Sequence, residues 1–273
     1  MSEKHNGNRS LVEPGNLSAG KVAVVTGAAG GIGASIVRQL AEAGNIVAAV
    51  DRNSDALQTM VNELRDQGLN AYAFIVDIGS SRHVDNFVND VEHALGPIYY
   101  LVNAAGILRT GQITDMADDD WETTMRVNTS GVFWVSRAVS RRMMARGGKG
   151  ALVTVASNAA STARIEMGAY AASKAAVIAL TKCLGLELAK HGIRCNIVSP
   201  GSTETPMLSS LNGAGNTISS VQGSQERYRV GIPLGRVARP SYVADAVMFL
   251  LSDRARHITM ETLTVDGGAT LGV

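Results

Sequence analysis

Aromatic side chains are scarce in this chain: four Phe, two Trp and six Tyr among 273 residues. That is too few for stacking platforms on single-stranded nucleic acid or for an aromatic cage around a quaternary cation. Cysteine is nearly absent, and the two present, Cys183 and Cys195, form neither a CxxC pair nor a metal-ligand spacing. Both read as small core hydrophobes in a reducing compartment. The histidines (His5, His83, His93, His191 and His257) are scattered with no HExxH pairing, so no protein-borne metal is expected. Charge of one sign is also lacking. Lys and Arg number 25 against 24 Asp and Glu, a net charge of +1, which speaks against a nucleic-acid or membrane-surface partner. No stretch resembles a membrane span, and the first nineteen residues lack the apolar run of a signal peptide. Residues 1–20 read as a loose polar tail, and a cytoplasmic location is expected.

What is present is aliphatic and glycine-rich: 45% apolar residues with 29 Gly, which excludes a disordered chain. From Lys21 onward, short β-branched runs alternate with longer amphipathic segments. Strands are expected over 22–26, 46–50, 71–76, 98–102, 151–156, 194–199 and 262–265. Helices are expected over 31–44, 54–68, 80–95, 118–146, 168–191 and 240–252. Near-continuous apolar strands alternating with helices predict an α/β fold, a doubly wound parallel sheet of the Rossmann kind. No linker interrupts the alternation, so residues 21–273 read as one domain. Residues 202–229 break the pattern. Rich in Ser, Gly, Asn and Thr, that segment reads as a substrate lid.

The first strand runs into Thr26-Gly27-Ala28-Ala29-Gly30-Gly31-Ile32-Gly33 and then a helix. Glycines in that strand–turn–helix setting let the backbone approach a pyrophosphate, which the helix N-terminus attracts. Asp51 ends the second strand 18 residues after Gly33, near the spacing of about 20 expected for a ribose-binding carboxylate. A carboxylate there would repel a 2′-phosphate, so NAD is the expected cofactor. Arg52 beside it could welcome that phosphate, but a mobile surface Arg gains less than unpaired like charge costs. Asp77, at the end of the third strand, is placed either to read an adenine amino group or to help cap the next helix.

Tyr170 and Lys174 lie four apart near the start of an apolar helix and so share one face. An ammonium near a phenol stabilises its anion and suits it to proton transfer. Ser157 closes a strand thirteen residues upstream, at the sheet edge where parallel sheets bind ligands.

Taken together with TGAAGGIG at 26–33, NAAG at 103–106, Asn128, Ser157, YAASK at 170–174 and PG at 200–201, the chain resembles the short-chain dehydrogenase/reductase family from Lys21 to Val273. One departure is Asn103-Ala104, where the family usually has paired Asn. The resemblance implies that Tyr170 is the acid/base, that Lys174 lowers its pKa and holds the nicotinamide ribose, and that Ser157 hydrogen-bonds the substrate oxygen. It implies a proton-relay role for Asn128. Cofactor contacts are implied for Gly27, Gly31, Ile32, Gly33, Asp51, Arg52, Asp77, Ile78, Asn103, Ala104, Gly106, Tyr170, Lys174, Pro200 and Gly201. It further implies a homotetramer, with the helices at 118–146 and 168–191 forming one interface.

A narrower likeness lies in GILR (106–109) and ARIEM (163–167), which flank the active centre and are similar to the branch of the family that oxidises a cyclohexadiene diol carboxylate to a catechol in siderophore biosynthesis. A carboxylate substrate calls for a cation, and either Arg109 or Arg164 could grip it, Arg164 being preferred. Met167 and Met207 are candidates for an apolar pocket wall. Related dehydrogenases acting on a dihydro-hydroxyanthranilate, a sugar or a 3-oxoacyl thioester remain open. A non-catalytic dinucleotide sensor is disfavoured by the presence of Ser157, Tyr170 and Lys174.

Overall fold

The computed structural model describes residues 17–212 (Asn212 by its backbone only) and 217–272. Seven strands, β1 (Val22–Thr26), β2 (Ile46–Asp51), β3 (Ala71–Ile75), β4 (Ile98–Asn103), β5 (Gly150–Val155), β6 (Ile193–Pro200) and β7 (Thr262–Val265), form one sheet in the order β3-β2-β1-β4-β5-β6-β7. Every pairing is parallel. All seven strands lie where the apolar runs place them.

The helices α1 (Gly31–Glu42), α2 (Ser54–Asp66), α3 (Ser81–Leu95), α4 (Asp118–Met125), α5 (Val132–Ala145), α6 (Gly168–Leu188), α7 (Pro206–Asn212), α8 (Ile218–Gln222) and α9 (Pro240–Leu251) complete the described elements. Ile36 and Leu40 of α1, Leu57 and Leu64 of α2, and Val243 and Leu250 of α9 pack into one core with β1, β2 and β5. Phe87 and Val91 of α3 with Val135, Val139 and Met143 of α5 fill the opposite face. A parallel sheet covered on both sides needs apolar residues at successive strand positions, and β1 and β5 are buried throughout. The strand order reverses between β1 and β4, and their adjacent C-terminal ends open the crevice where such sheets bind ligands.

Three expectations need correction, and a fourth, the lid, gains local structure. The helix expected over 118–146 is interrupted by a π-helical stretch, Arg126–Gly131, between α4 and α5. The expected lid carries two short helices, α7 and α8, and is tied back by Glu204 N–H donating to Ala238 O (2.9 Å). Of the expected tail, residues 1–16 lie outside the described residues. Its end is not loose: Leu17 packs against the core and Gly20 N–H donates to Gly44 O at 2.9 Å. Finally, Cys195 is a core residue whose thiol burial pushes up to about 12, whereas Cys183 is exposed. Among the described residues, one helical stretch, Gly168–His191, is long and apolar enough to cross a membrane, and it lies on the sheet through Val177, Thr181 and Gly185.

Candidate active site

The turn after β1 is shaped by two close approaches. Gly27 sits at φ +70°, and a Cβ there would lie 2.6 Å from the Ala105 backbone in the turn after β4. A Cβ on Gly33 would lie 2.0 Å from the Gly27 carbonyl oxygen. No side chain larger than hydrogen fits at either position, which locks the turn against both the helix and the neighbouring strand. Gly30 caps α1 without a side-chain hydrogen bond, and no acidic residue stands in the first turn. The helix therefore presents uncapped N–H groups at its positive end.

Asp51 is held in place by this turn. Its Oδ2 accepts from Ala29 N–H (3.1 Å) and its Oδ1 from Asn53 N–H (2.9 Å). One cavity is lined by Gly27, Gly31, Ile32, Gly33, Asp51, Arg52, Asp77, Ile78, Ala104 and Gly106, so the structure brings most of the expected cofactor residues together. Asp77 is no helix cap: its Oδ1 accepts from Gly79 N–H (2.9 Å), while Ser80 caps α3.

Asn103 is the exception. It lines neither this cavity nor the next, is 1% exposed, and donates from Nδ2 to Ser136 Oγ of α5 (2.9 Å), leaving its Oδ1 without a partner. Its side chain, at the end of β4, faces the α5 layer. The cradle wall passes instead to Ala104–Ile107.

A second cavity adjoins the first, sharing Ile32, Ala104, Gly106, Thr205 and Met207 with it. Ser157, Arg164, Met167, Tyr170, Lys174, Pro200 and Gly201 all line it. The Tyr170 ring is buried, and burial pushes its phenol above the ordinary value while the hydrogen bond with Ser157 pulls it part of the way back. Ser157 Oγ is itself steadied by Ala159 N–H at 3.2 Å. Lys174 Nζ lies 5.7 Å from the centre of the Tyr170 ring and donates to Val155 O at 3.0 Å. Burial lowers its pKa to about 8. The Lys174 ammonium is thus tied to a carbonyl close to the Tyr170 ring, and Ser157 hydrogen-bonds the phenol and lowers its pKa.

Asn128, in the π-helical stretch, is wholly buried, and its side chain is fully engaged. Nδ2 donates to Ile107 O (2.9 Å) and Ser173 Oγ (3.0 Å), and Oδ1 accepts from Ile107 N–H (2.8 Å). It pins the β4 turn to α6. π-Turns of this kind cluster at functional sites. Arg109 does not reach either cavity: it is exposed and pairs with Asp120 at the start of α4 (3.5 Å). Sequence reasoning missed Thr205, which lines both cavities, and Arg229, which lines the second. Both lie in the segment expected as a lid, where no periodicity marks individual residues.

The family profile described as enoyl-(acyl carrier protein) reductase matches residues 27–270. A Bacillus subtilis 2,3-dihydro-2,3-dihydroxybenzoate dehydrogenase is 53% identical over 93% of this chain and 97% of its own length. The chain belongs to the short-chain dehydrogenase/reductase family. An Escherichia coli 2,3-dihydro-2,3-dihydroxybenzoate dehydrogenase is 40% identical over 93% of this chain and 98% of its own. A solved actinorhodin polyketide ketoreductase variant with NADPH superposes with a TM-score of 0.84, at 34% identity over 92% of this chain and 97% of that one. As a short-chain dehydrogenase/reductase the chain is an oxidoreductase that binds a nicotinamide dinucleotide, and the two joined cavities fit one: an uncapped helix end for the pyrophosphate, Asp51 at one side and Tyr170 at the other.

Proposed function

We propose that this chain oxidises a ring hydroxyl of 2,3-dihydro-2,3-dihydroxybenzoate to give 2,3-dihydroxybenzoate, with NAD as cofactor, in catechol siderophore biosynthesis. The observation that carries the reading is the second cavity: Tyr170 and Ser157 line it with Arg164, and among the described residues no carboxylate does. Such a wall accepts a small anionic alcohol. The 53% identity to a relative of that activity supports the same substrate.

When bound, the nicotinamide supplies the hydride acceptor. Tyr170 takes the hydroxyl proton as the C–H hydride leaves, and Ser157 hydrogen-bonds both the phenol and the substrate oxygen. The ketone formed tautomerises to the aromatic catechol, which draws the reaction forward. Lys174, whose Nζ donates to Val155 O, would hold the nicotinamide ribose with its remaining N–H donors. Asn128 acts by holding the Ile107 backbone and α6 in register, and any relay through it runs by its main chain, since its side-chain atoms are engaged. Met167 and Met207 line the cavity and would pack against the substrate ring. The experiment is direct: NAD and the dihydrodiol acid are incubated with the protein, and NADH and the catechol product are followed. NADH formed from sugars or 3-oxoacyl thioesters but not from the dihydrodiol acid would overturn the assignment.

Two variants refine this reading. Ser157→Ala removes the bond that lowers the Tyr170 phenol, so the phenol rises further and less tyrosinate is present at any pH. The ascending, acid limb of kcat/KM should move to higher pH and kcat should fall roughly 10²-fold. An unmoved limb would take Ser157 out of the proton path. Asp51→Ser, with Arg52 kept, removes the fixed carboxylate that would face a 2′-phosphate. The kcat/KM ratio of NAD to NADP should fall by about tenfold or more; an unchanged ratio would leave Asp51 without a selective role.

The exposed apolar residues Trp121 and Phe133 of α4 and α5 and Leu186 of α6 support a homotetramer built on those helices. The exposed thiol of Cys183 is in keeping with a reducing cytoplasm.

A further inference from the structure

Three cations line the cavity beside Tyr170, namely Arg164, Lys174 and Arg229, and among the described residues no anion does. Lys174 is committed to the Val155 carbonyl. The two arginines have no ion-pair partner among the described residues, and Arg229 holds only a long hydrogen bond to Ser202 Oγ (3.5 Å). Both are half-buried. Burial pushes the Arg229 guanidinium below its ordinary value, and the charges of Arg164 and Arg227 push it further in the same direction. Their surroundings do not relieve this. Arg227 is exposed and already paired with Glu166 (2.6 Å). Asp266, the acid that acts on Arg164, already accepts from Asn158, Gly268 and Thr270.

Two like charges brought together in a half-buried wall cost free energy unless an anion lies between them. We propose that Arg229 is a specificity-determining residue, which with Arg164 forms a two-guanidinium clamp for the substrate carboxylate. The inference deepens the dehydrogenase reading and rests on it for the identity of that carboxylate. Arg164 comes from the loop before α6, and Arg229 from the end of the segment that carries α7 and α8. Both also line an adjoining cavity with Thr110, Ile165 and the Glu166–Arg227 pair, so the clamp is shared by the Tyr170 chamber and that cavity. A planar carboxylate held there accepts from both forks and cancels their repulsion. A neutral diol of the same shape leaves the repulsion in place and is rejected.

The test uses the full chain with NAD, the dihydrodiol acid and its neutral carboxamide. Arg229→Gln should raise KM for the acid about tenfold or more, with kcat changed by less than about threefold and NADH affinity unchanged, while KM for the carboxamide stays level or falls. Arg164→Gln should behave alike. Arg229→Lys should recover only part of the loss, because an ammonium is a point charge, and it carries the same test should Arg229→Gln fail to fold. Arg227→Gln should shift KM for the acid less than about twofold, since its charge is already paired. A KM that rises equally for acid and carboxamide, or does not rise at all, would overturn the clamp. Calorimetric binding of benzoate against benzamide to the NADH-bound protein separates the two readings. Benzoate affinity that falls about tenfold in Arg229→Gln, in a protein that does not oxidise the dihydrodiol, would keep the clamp and reject the substrate. Turnover of the dihydrodiol with benzoate affinity independent of Arg229 would do the reverse.

Discussion

Tyr170→Phe should lower kcat roughly 10²–10⁴-fold while the dinucleotide binds as before. The change removes one oxygen from a ring that is 8% exposed and whose packing in the first turn of α6 is otherwise kept. No other described side chain lining the cavity can take a proton from an alcohol in its place: Ser157 is itself a weak acid, and Lys174 faces the Val155 carbonyl. The lost phenol leaves the Ser157 hydroxyl without that partner, a cost of about 1 kcal/mol, so the fold should survive. Stopped-flow NADH formation and a fluorescence titration of NADH together check this. A kcat within about tenfold of the parent would remove Tyr170 from the base role.

The second large effect concerns Lys174 and couples activity to stability. Lys174→Met should abolish most turnover, because the ammonium proposed to hold the cofactor ribose is gone. It should also change how stability responds to pH. The lysine is 4% exposed, and its pKa falls from 10.5 in an open chain to about 8 in the fold. Below pH 8 both folded and unfolded forms carry the proton, and the folded form bears the full cost of the buried charge, roughly 3 kcal/mol. Between about 8 and 10.5 the unfolded chain holds more protons than the folded one, so this group makes the parent more stable as pH rises. Above 10.5 the penalty is gone. Methionine has no such dependence. The Tm of Lys174→Met relative to the parent should therefore be highest near pH 7 and decline by pH 10. A difference that stays constant across that range would show that Lys174 is not a buried, proton-shedding group.

Much of this was legible in the chain. Apolar strands between glycine-capped helices specify a parallel sheet, since only strands covered on both faces can be apolar at every position. The Gly27–Gly33 turn was equally plain, because close backbone approach demands glycine whatever surrounds it. Asp51, Ser157, Tyr170 and Lys174 follow from strand ends and a four-residue helical spacing, which are local rules.

Other features depend on neighbours distant in sequence. Asn103 looks like a cofactor residue by its motif, yet Ser136 draws its side chain into the α5 layer. Arg109 and Arg164 are alike in composition and setting; Asp120 turns the first outward, and the fold leaves the second unpaired at the cavity. Asn128 shows no periodic signal of its own, because its task is to grip a backbone 21 residues away through a π-turn. Arg229 could not be singled out within a polar segment until the chain brought it to the same cavity wall as Arg164.

The sequence by itself determined the sheet, the dinucleotide turn and the strand-end and helical positions of Ser157, Tyr170 and Lys174, through rules that act within a few residues. Only the tertiary structure decided which arginines line the Tyr170 cavity and that Ser157 hydrogen-bonds the Tyr170 phenol. Charge compensation and burial are properties of the assembled neighbourhood, and no short stretch of chain contains it.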